Sequence, residues 1–137
     1  MDSIAVTRVV EFSASHTLHN PALDDAENAR LYGKCGNPGG HGHNYKLEVT
    51  VAGAIDPVSG FVIDARALAA IIDERIVECV DHRNLNTDVA WLAGVNPTME
   101  NIAVAVWDRL APRVAPARLS RIRLYETDRS FVEYFGG

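Results

Sequence analysis

The sequence contains few cysteines, no long apolar run and no cluster of basic residues. Its two cysteines, Cys35 and Cys79, cannot build a disulfide framework. No apolar stretch approaches the roughly 20 residues that a membrane helix needs. The opening residues, MDSIAVTRVVEF, lack the charged start and long apolar core of a secretory signal. These absences predict a soluble, cytoplasmic protein.

The charge balance also excludes some functions. A net charge of −5 disfavours a nucleic-acid partner, and a strongly anionic substrate would need a locally basic pocket. Apolar residues make up 47% of the 137 residues and charged residues 23%, which is ordinary for a globular chain. We therefore expect one domain spanning residues 1–137, with its own core and no repeat.

Alternation of apolar and polar residues predicts the strands. Ile4 to Phe12 and Tyr45 to Val51 each place their apolar side chains on one face. Phe61 to Ile63 is predicted as a short strand after a turn at residues 56–60. The segments from Leu119 to Thr127 and from Phe131 to Phe135 are predicted to form a hairpin that turns at residues 128–130.

Two helices are predicted between these strands. Asp64 is a candidate N-cap for a helix that reaches about Cys79. A second helix is expected to start near residues 96–98, and Pro112 either ends it or lies just beyond it. Residues 19–40 are expected to be irregular. Strands and helices in separate blocks indicate an α+β fold, an antiparallel four-stranded sheet with two helices on one face.

A group of histidines indicates a metal site. His41 and His43 share parity at the start of a predicted strand, so both rings face the same side. His16 has the parity of the apolar row of the first strand and is the favoured third ligand, with His19 as the alternative. Three histidines on zinc leave a fourth position open, which is typical of catalytic zinc sites.

Cys35 lies just before the histidine pair and allows two interpretations. As a fourth ligand it would close the metal site and make it structural. As a free thiolate it would act as nucleophile or base if a neighbour lowered its pKa, and Asp81 with His82 forms a candidate activating pair. Cys79 lies on the apolar side of the first predicted helix and is interpreted as a small buried hydrophobe.

One carboxylate breaks an apolar row. Glu126 shares the parity of Ile122 and Leu124 at the end of a predicted strand, so it lies either at a solvated edge or against a ligand. A heterocycle edge with two neighbouring N–H donors would suit it. Glu100, in the first turn of the second helix, is explained by the helix dipole.

With these residues placed, the chain resembles the 6-pyruvoyl-tetrahydropterin synthase family over almost its whole length. Five fragments occur in the order and at the approximate spacing of that family: FSASH, GKCGNPGGHGHNY, VDHRNLN, PTMENIAVAVWD and LYETD. The resemblance implies the tunnelling fold, in which three subunits join their sheets into a barrel and two trimers form a homohexamer with active sites between subunits.

The resemblance also implies residue roles and a reaction. Cys35 would be the catalytic base, and Zn²⁺ would be the cofactor, with Mg²⁺ accompanying the triphosphate. The substrate would be 7,8-dihydroneopterin triphosphate, converted to 6-pyruvoyl-tetrahydropterin with loss of triphosphate. The remaining roles would be zinc ligands for His16, His41 and His43, activation of Cys35 by Asp81 and His82, pterin anchoring by Glu126, and a place near the pterin pocket for Thr98.

Two alternatives stay open. The 6-carboxy-tetrahydropterin synthases of the queuosine pathway act on the same substrate, but their pattern has a shorter loop between the cysteine and the histidine pair. Here five residues, Gly36 to Gly40, intervene, and GHGHNY follows, which favours the pyruvoyl product. The second alternative is a zinc-stabilised oligomeric binding protein in which Cys35 is a fourth ligand.

Overall fold

A computed structural model describes residues 4–137 and places five strands in one sheet, in the order β3-β1-β2-β4-β5. The two long strands, β1 and β2, lie at its centre. All pairs are antiparallel except β3, which runs parallel to β1. The strands are β1 Ile4–His16, β2 His41–Gly53, β3 Arg83–Asn84, β4 Arg118–Thr127 and β5 Ser130–Tyr134.

The structure confirms the α+β class, but the sheet has five strands where four antiparallel strands were predicted, because β3 pairs in parallel with the edge of β1. This strand is two residues long, too short for any alternation to appear in the sequence. The predicted hairpin near the C-terminus is β4 and β5. Within residues 4–137, no helix is both long enough and apolar enough to cross a membrane.

Two expectations about local structure were wrong. Residues 61–63 form no strand and lie directly before the helix N-cap Asp64. Val62 and Ile63 instead pack against the core. The segment 19–40 is not irregular throughout, since it contains the helix α1, Asp25–Tyr32, and a 3-10 turn, Gly33–Gly36.

Helix α2, Ala65–Ile72, begins at the predicted N-cap, where the Asp64 carboxylate accepts from the backbone N–H of Arg66. It continues through a π turn, Asp73–Val77, into a final α-helical turn, Glu78–Val80. Its apolar residues recur every four positions, a spacing that drifts around a regular helix of 3.6 residues per turn. The wider π turn compensates for that drift, so that all four face the core: Leu68, Ile72, Ile76 and Val80.

Helix α3, Met99–Leu110, starts where the sequence predicts. The Thr98 hydroxyl accepts from the backbone N–H of Asn101 and caps the helix. Together with α2, this helix covers one face of the sheet and encloses the apolar core. The side chains of Leu47, Val49, Ile102 and Val106 are among those buried there. The sheet face opposite the helices carries charged pairs such as Arg123 with Glu133.

Candidate metal and active site

Three histidines meet at one end of the sheet. The register of β1 and β2 places His16 directly opposite His41, and His43 lies two residues further along β2. Each of the three offers a nitrogen within 4.8 Å of the others, a grouping that could hold a metal ion. His16 is 1% exposed. His19, the alternative third ligand, is exposed and lies outside this group.

The backbone carbonyl of Pro97 fixes the His16 ring. His16 Nδ1 lies 2.8 Å from Pro97 O, and a carbonyl only accepts, so Nδ1 carries the proton. The Nε2 lone pair is then free for a metal in the neutral ring. Pro97 directly precedes the N-cap Thr98, so the start of α3 determines where this carbonyl points.

The histidines leave buried nitrogens without protein partners. His16 Nε2, His41 Nδ1 and His43 Nε2 are all buried and accept or donate no hydrogen bond within the described chain. Burial lowers the pKa of His16 and of His43, which favours the neutral, ligating form. Unpaired buried polar atoms are costly, so three converging imidazole nitrogens fit a metal ion such as zinc.

The Glu126 carboxylate lies beside this group. Its oxygens are 3.9 Å from His16 Nε2 and 3.8 Å from His43 Nε2, and its side chain is 22% exposed. Glu126, which shares the parity of Ile122 and Leu124, therefore faces the histidines. Burial, with a smaller contribution from the Glu126 charge, raises the pKa of Tyr45, whose hydroxyl lies 3.4 Å from His16 Nδ1.

Cys35 lies in the 3-10 turn, half-buried, on a loop that packs against the residues after His16. The Leu18 N–H donates to Cys35 O at 2.8 Å. Gly40 has a φ of +75°, and a Cβ there would lie 3.1 Å from His16 O, so this close approach requires glycine. Among the described residues, Cys35 is not part of the metal-binding group.

Asp81 and His82 lie on the outer edge of β1. Asp81 Oδ1 accepts from the Ser13 N–H and lies 3.1 Å from His82 Nδ1. That bond from Ser13 lowers the pKa of Asp81 more than His82 does. His82 has a φ of +60°, rare for a residue with a side chain, and its ring is 84% exposed. Within residues 4–137, no hydrogen bond joins this pair to Cys35.

The sequence analysis missed two contributors to the site. The Pro97 carbonyl leaves no trace in the sequence beyond the preference of proline for helix starts. Asn86 binds the backbone of Thr17, next to His16, through both ends of its amide. Its place five residues after Asp81, two positions from another asparagine, Asn84, gave no indication of that contact.

Comparison with known proteins identifies a family. Residues 5–137 match the family model described as 6-pyruvoyl tetrahydropterin synthase. The chain is 50% identical over 131 residues to the 6-pyruvoyl tetrahydrobiopterin synthase of Poecilia reticulata, covering 96% of this chain and 89% of that one. It is 47% identical to the protein of the same name in Homo sapiens, covering 96% and 90%.

A solved structure agrees. The Caenorhabditis elegans 6-pyruvoyl tetrahydropterin synthase superposes with a TM-score of 0.92 at 38% identity, covering 98% of this chain and 96% of that one. The family-model match extends over nearly the whole chain and includes all three histidines, Cys35 and Glu126. This chain therefore belongs to the 6-pyruvoyl tetrahydropterin synthase family.

Proposed function

We propose that this protein converts 7,8-dihydroneopterin triphosphate to 6-pyruvoyl-tetrahydropterin with elimination of triphosphate, as a zinc-dependent carbon–oxygen lyase. The observation that carries the proposal is the group of three histidines whose buried nitrogens make no hydrogen bond within the described chain. The chain is also 50% identical to the 6-pyruvoyl tetrahydrobiopterin synthase of Poecilia reticulata. The names of the relatives favour the pyruvoyl product over the carboxy product.

His16, His41 and His43 would hold the zinc ion. When bound, zinc acts as a Lewis acid on substrate oxygens and acidifies the neighbouring C–H and O–H groups. The Pro97 carbonyl keeps the proton of His16 on Nδ1, so that Nε2 faces the group. A ligand set of three neutral imidazoles leaves room for substrate oxygens.

Cys35 would be the base. Its thiolate takes and returns protons on the substrate side chain, while triphosphate departs. The electrons that reduce the pterin ring come from that same side chain, so the reaction balances without an external reductant. The absence of Cys35 from the histidine group favours this role over a fourth metal ligand.

Glu126 would anchor the pterin ring. A half-buried carboxylate accepts well from two adjacent N–H groups of a heterocycle, and its place beside His16 and His43 puts the ring next to the metal. Thr98, at the N-cap of α3 and next to Pro97, would border the same pocket. Mg²⁺ would accompany the triphosphate.

Asp81 and His82 would activate Cys35 of a neighbouring subunit. Both are accessible at the sheet edge, and the His82 ring is 84% exposed. The outer edges of β5 and of most of β1 have no strand partner among the described residues, so subunits can join their sheets there. We therefore propose that the subunits form barrel-shaped trimers and that two trimers form a homohexamer. We also propose that residues 1–137 are a single domain and that the protein is cytoplasmic.

Product identification tests the proposal. The zinc-loaded protein is incubated with 7,8-dihydroneopterin triphosphate and Mg²⁺, and the pterins are resolved by mass. We expect a pyruvoyl product, and Cys35→Ala should lower turnover by about 10²–10⁴-fold with one zinc per chain retained. Cys79→Ala is the matched control and should turn over normally, because Cys79 packs in α2 away from the histidines.

Each other outcome points to a named alternative. A carboxy product with released acetaldehyde would place the chain with the queuosine-pathway enzymes. No turnover, with zinc held by the Cys35 sulfur, would mean a closed structural site in a binding protein. Zinc content that falls in Cys35→Ala but not in Cys79→Ala would identify Cys35 as a ligand.

A further inference from the structure

The segment after His82 runs alongside β1 and extends past the last paired strand residue. The His82 N–H donates to Ser13 O, and the Leu85 N–H donates to Ser15 O at 2.8 Å. Leu85 is fully buried, which fixes this segment against the core. The next position in this series of bonds is Thr17, one residue beyond His16.

At that position the Asn86 side chain replaces a strand partner. Its Oδ1 accepts from the Thr17 N–H at 2.8 Å, and its Nδ2 donates to Thr17 O at 2.9 Å. A carboxamide offers one acceptor and a donor, as a backbone peptide does, so Asn86 satisfies both main-chain groups of Thr17. The Asn86 backbone is itself held, because its N–H donates to Asn84 Oδ1.

Thr17 in turn holds the loop that carries Cys35. Its hydroxyl donates to Asn37 O at 2.7 Å, with a longer contact of 3.4 Å to Cys35 O. The neighbouring Leu18 N–H donates to Cys35 O. A Cβ on Gly36 would lie 3.2 Å from Leu18 O, so the loop packs closely against this backbone.

We propose that Asn86 is a positioning residue, which through Thr17 fixes the Cys35 loop relative to the histidine group. The inference rests on the proposed function, because it assigns Cys35 the role of base. Holding a base in place matters, since a misplacement of about 1 Å can cost about a hundredfold in rate. Asn86 touches none of the three histidines through the bonds described, so its effect should fall on Cys35 rather than on the metal.

The test compares Asn86→Ala and Asn86→Asp in the full zinc-loaded protein. In Asn86→Ala we expect kcat to fall by about tenfold or more, with KM within about twofold and one zinc per chain. Asn86→Asp should lose about as much kcat, because its carboxylate still accepts from the Thr17 N–H but cannot donate to Thr17 O and repels that carbonyl. Asn20→Ala is the control, since that side chain accepts from Ala22 N in its own turn.

Hydrogen exchange of the backbone amides supplies a readout that needs no turnover. The Leu18 and Thr17 amides should exchange at least about tenfold faster in Asn86→Ala and should also exchange faster than in the parent in Asn86→Asp, since exchange follows local opening. Thr17→Val is an independent second variant that removes the link to Asn37 while leaving Asn86 intact. It should lower kcat without loss of zinc, and it decides the question if Asn86→Ala does not fold.

Three results would overturn the proposal: an unchanged kcat in Asn86→Ala, a loss of zinc that parallels the loss of kcat, or Leu18 and Thr17 amides that exchange at the parent rate in Asn86→Ala. If the parent protein does not turn over the pterin, the proposed function fails. The exchange rates then still decide whether Asn86 holds the loop.

Discussion

The two halves of β2 differ in how they fill the same face of the sheet. From Tyr45 to Val51 the inward side chains are fully buried, and they pack under α2 and α3. At His41 and His43 the same row continues with imidazoles whose buried nitrogens lack partners. Strand geometry and pairing with β1 are continuous across both halves. The two halves of β2 therefore differ in their side chains and in which segments pack over them, and not in backbone structure.

The segments that pack against each half of β2 explain why the histidine half can bind a ligand. The apolar half lies under helices that exclude water, whereas the histidine half lies beside the glycine-rich Cys35 loop and the Pro97 carbonyl. Polar atoms that would destabilise a core are here left free for a ligand. We infer that stability resides mainly in the first half and function in the second.

Replacing a histidine should separate function from stability. In His43→Ala, we expect loss of stoichiometric zinc and a fall in turnover of more than about a hundredfold, a larger effect than the loss of an outer-shell partner. The free energy of unfolding of the metal-free variant should lie within about 1 kcal/mol of that of the metal-free parent, because His43 Nε2 makes no hydrogen bond within the described chain. Zinc per chain and urea unfolding measure both. A large loss of metal-free stability would contradict the division of β2.

The converse change is at Leu47, four residues after His43 on the same face of β2. Leu47→Ala should lower the free energy of unfolding by about 2–5 kcal/mol, because it opens a cavity under the helices. The folded fraction should still bind one zinc per chain. Urea melts with zinc analysis of the native protein check this, and zinc loss without destabilisation would count against it.

Thr98 caps α3, which covers the apolar half of β2, and it follows Pro97, whose carbonyl orients His16. Replacing Thr98 should therefore affect both stability and zinc binding, each less than the two changes above. Thr98→Ala removes the cap of α3 and should cost about 1 kcal/mol of unfolding free energy. It should also weaken zinc binding by about tenfold, because the Pro97 carbonyl that orients His16 loses its support. Thr98→Ser keeps the cap and is the matched control. Equal losses in both variants would refute the capping argument.

The smallest effect concerns pH in the metal-free protein. Burial lowers the pKa of His16 and His43 from the ordinary value of 6.5, so the unfolded chain binds more protons than the folded one below that pH. Stability should be fully present above pH 6.5 and should decline as the pH falls through it toward the lower folded values. Urea melts across this range measure the slope. The slope should be shallower in His43→Ala, and a rise in stability on acidification would exclude this linkage.

The sequence predicted what depends on regular spacing. Alternation placed His16, His41, His43 and Glu126 on the inward face, and capping residues placed the starts of both long helices. Side-chain parity carries such information because a strand has a fixed period of two.

Features that depend on tertiary contacts could not be predicted. Helix α1 has a polar sequence whose buried residue is Asn28, so no apolar stripe marks it. The bond from His16 to Pro97 joins residues 81 positions apart. Nothing in the sequence separates Asn86 from the nearby Asn84, and the two differ in what their side chains bond, which is Thr17 for Asn86 and the Asn86 N–H for Asn84.

The π turn in the helix after Asp64 has a consequence for how this chain tolerates length changes. It holds one more residue per turn than a regular helix, and Asp81 follows it by a single turn. Deleting one residue there would restore regular winding and leave Asp81 at nearly its present angle, because the π turn absorbs about the 100° that one helical residue adds. An insertion or deletion elsewhere in the helix would rotate Asp81 and His82 by about 100° around its axis, and they would lose their alignment with Ser13. The spacing between the helix start and the Asp81–His82 pair is thus set by angular phase, and it should be far less tolerant of insertions and deletions than the loop at residues 54–60.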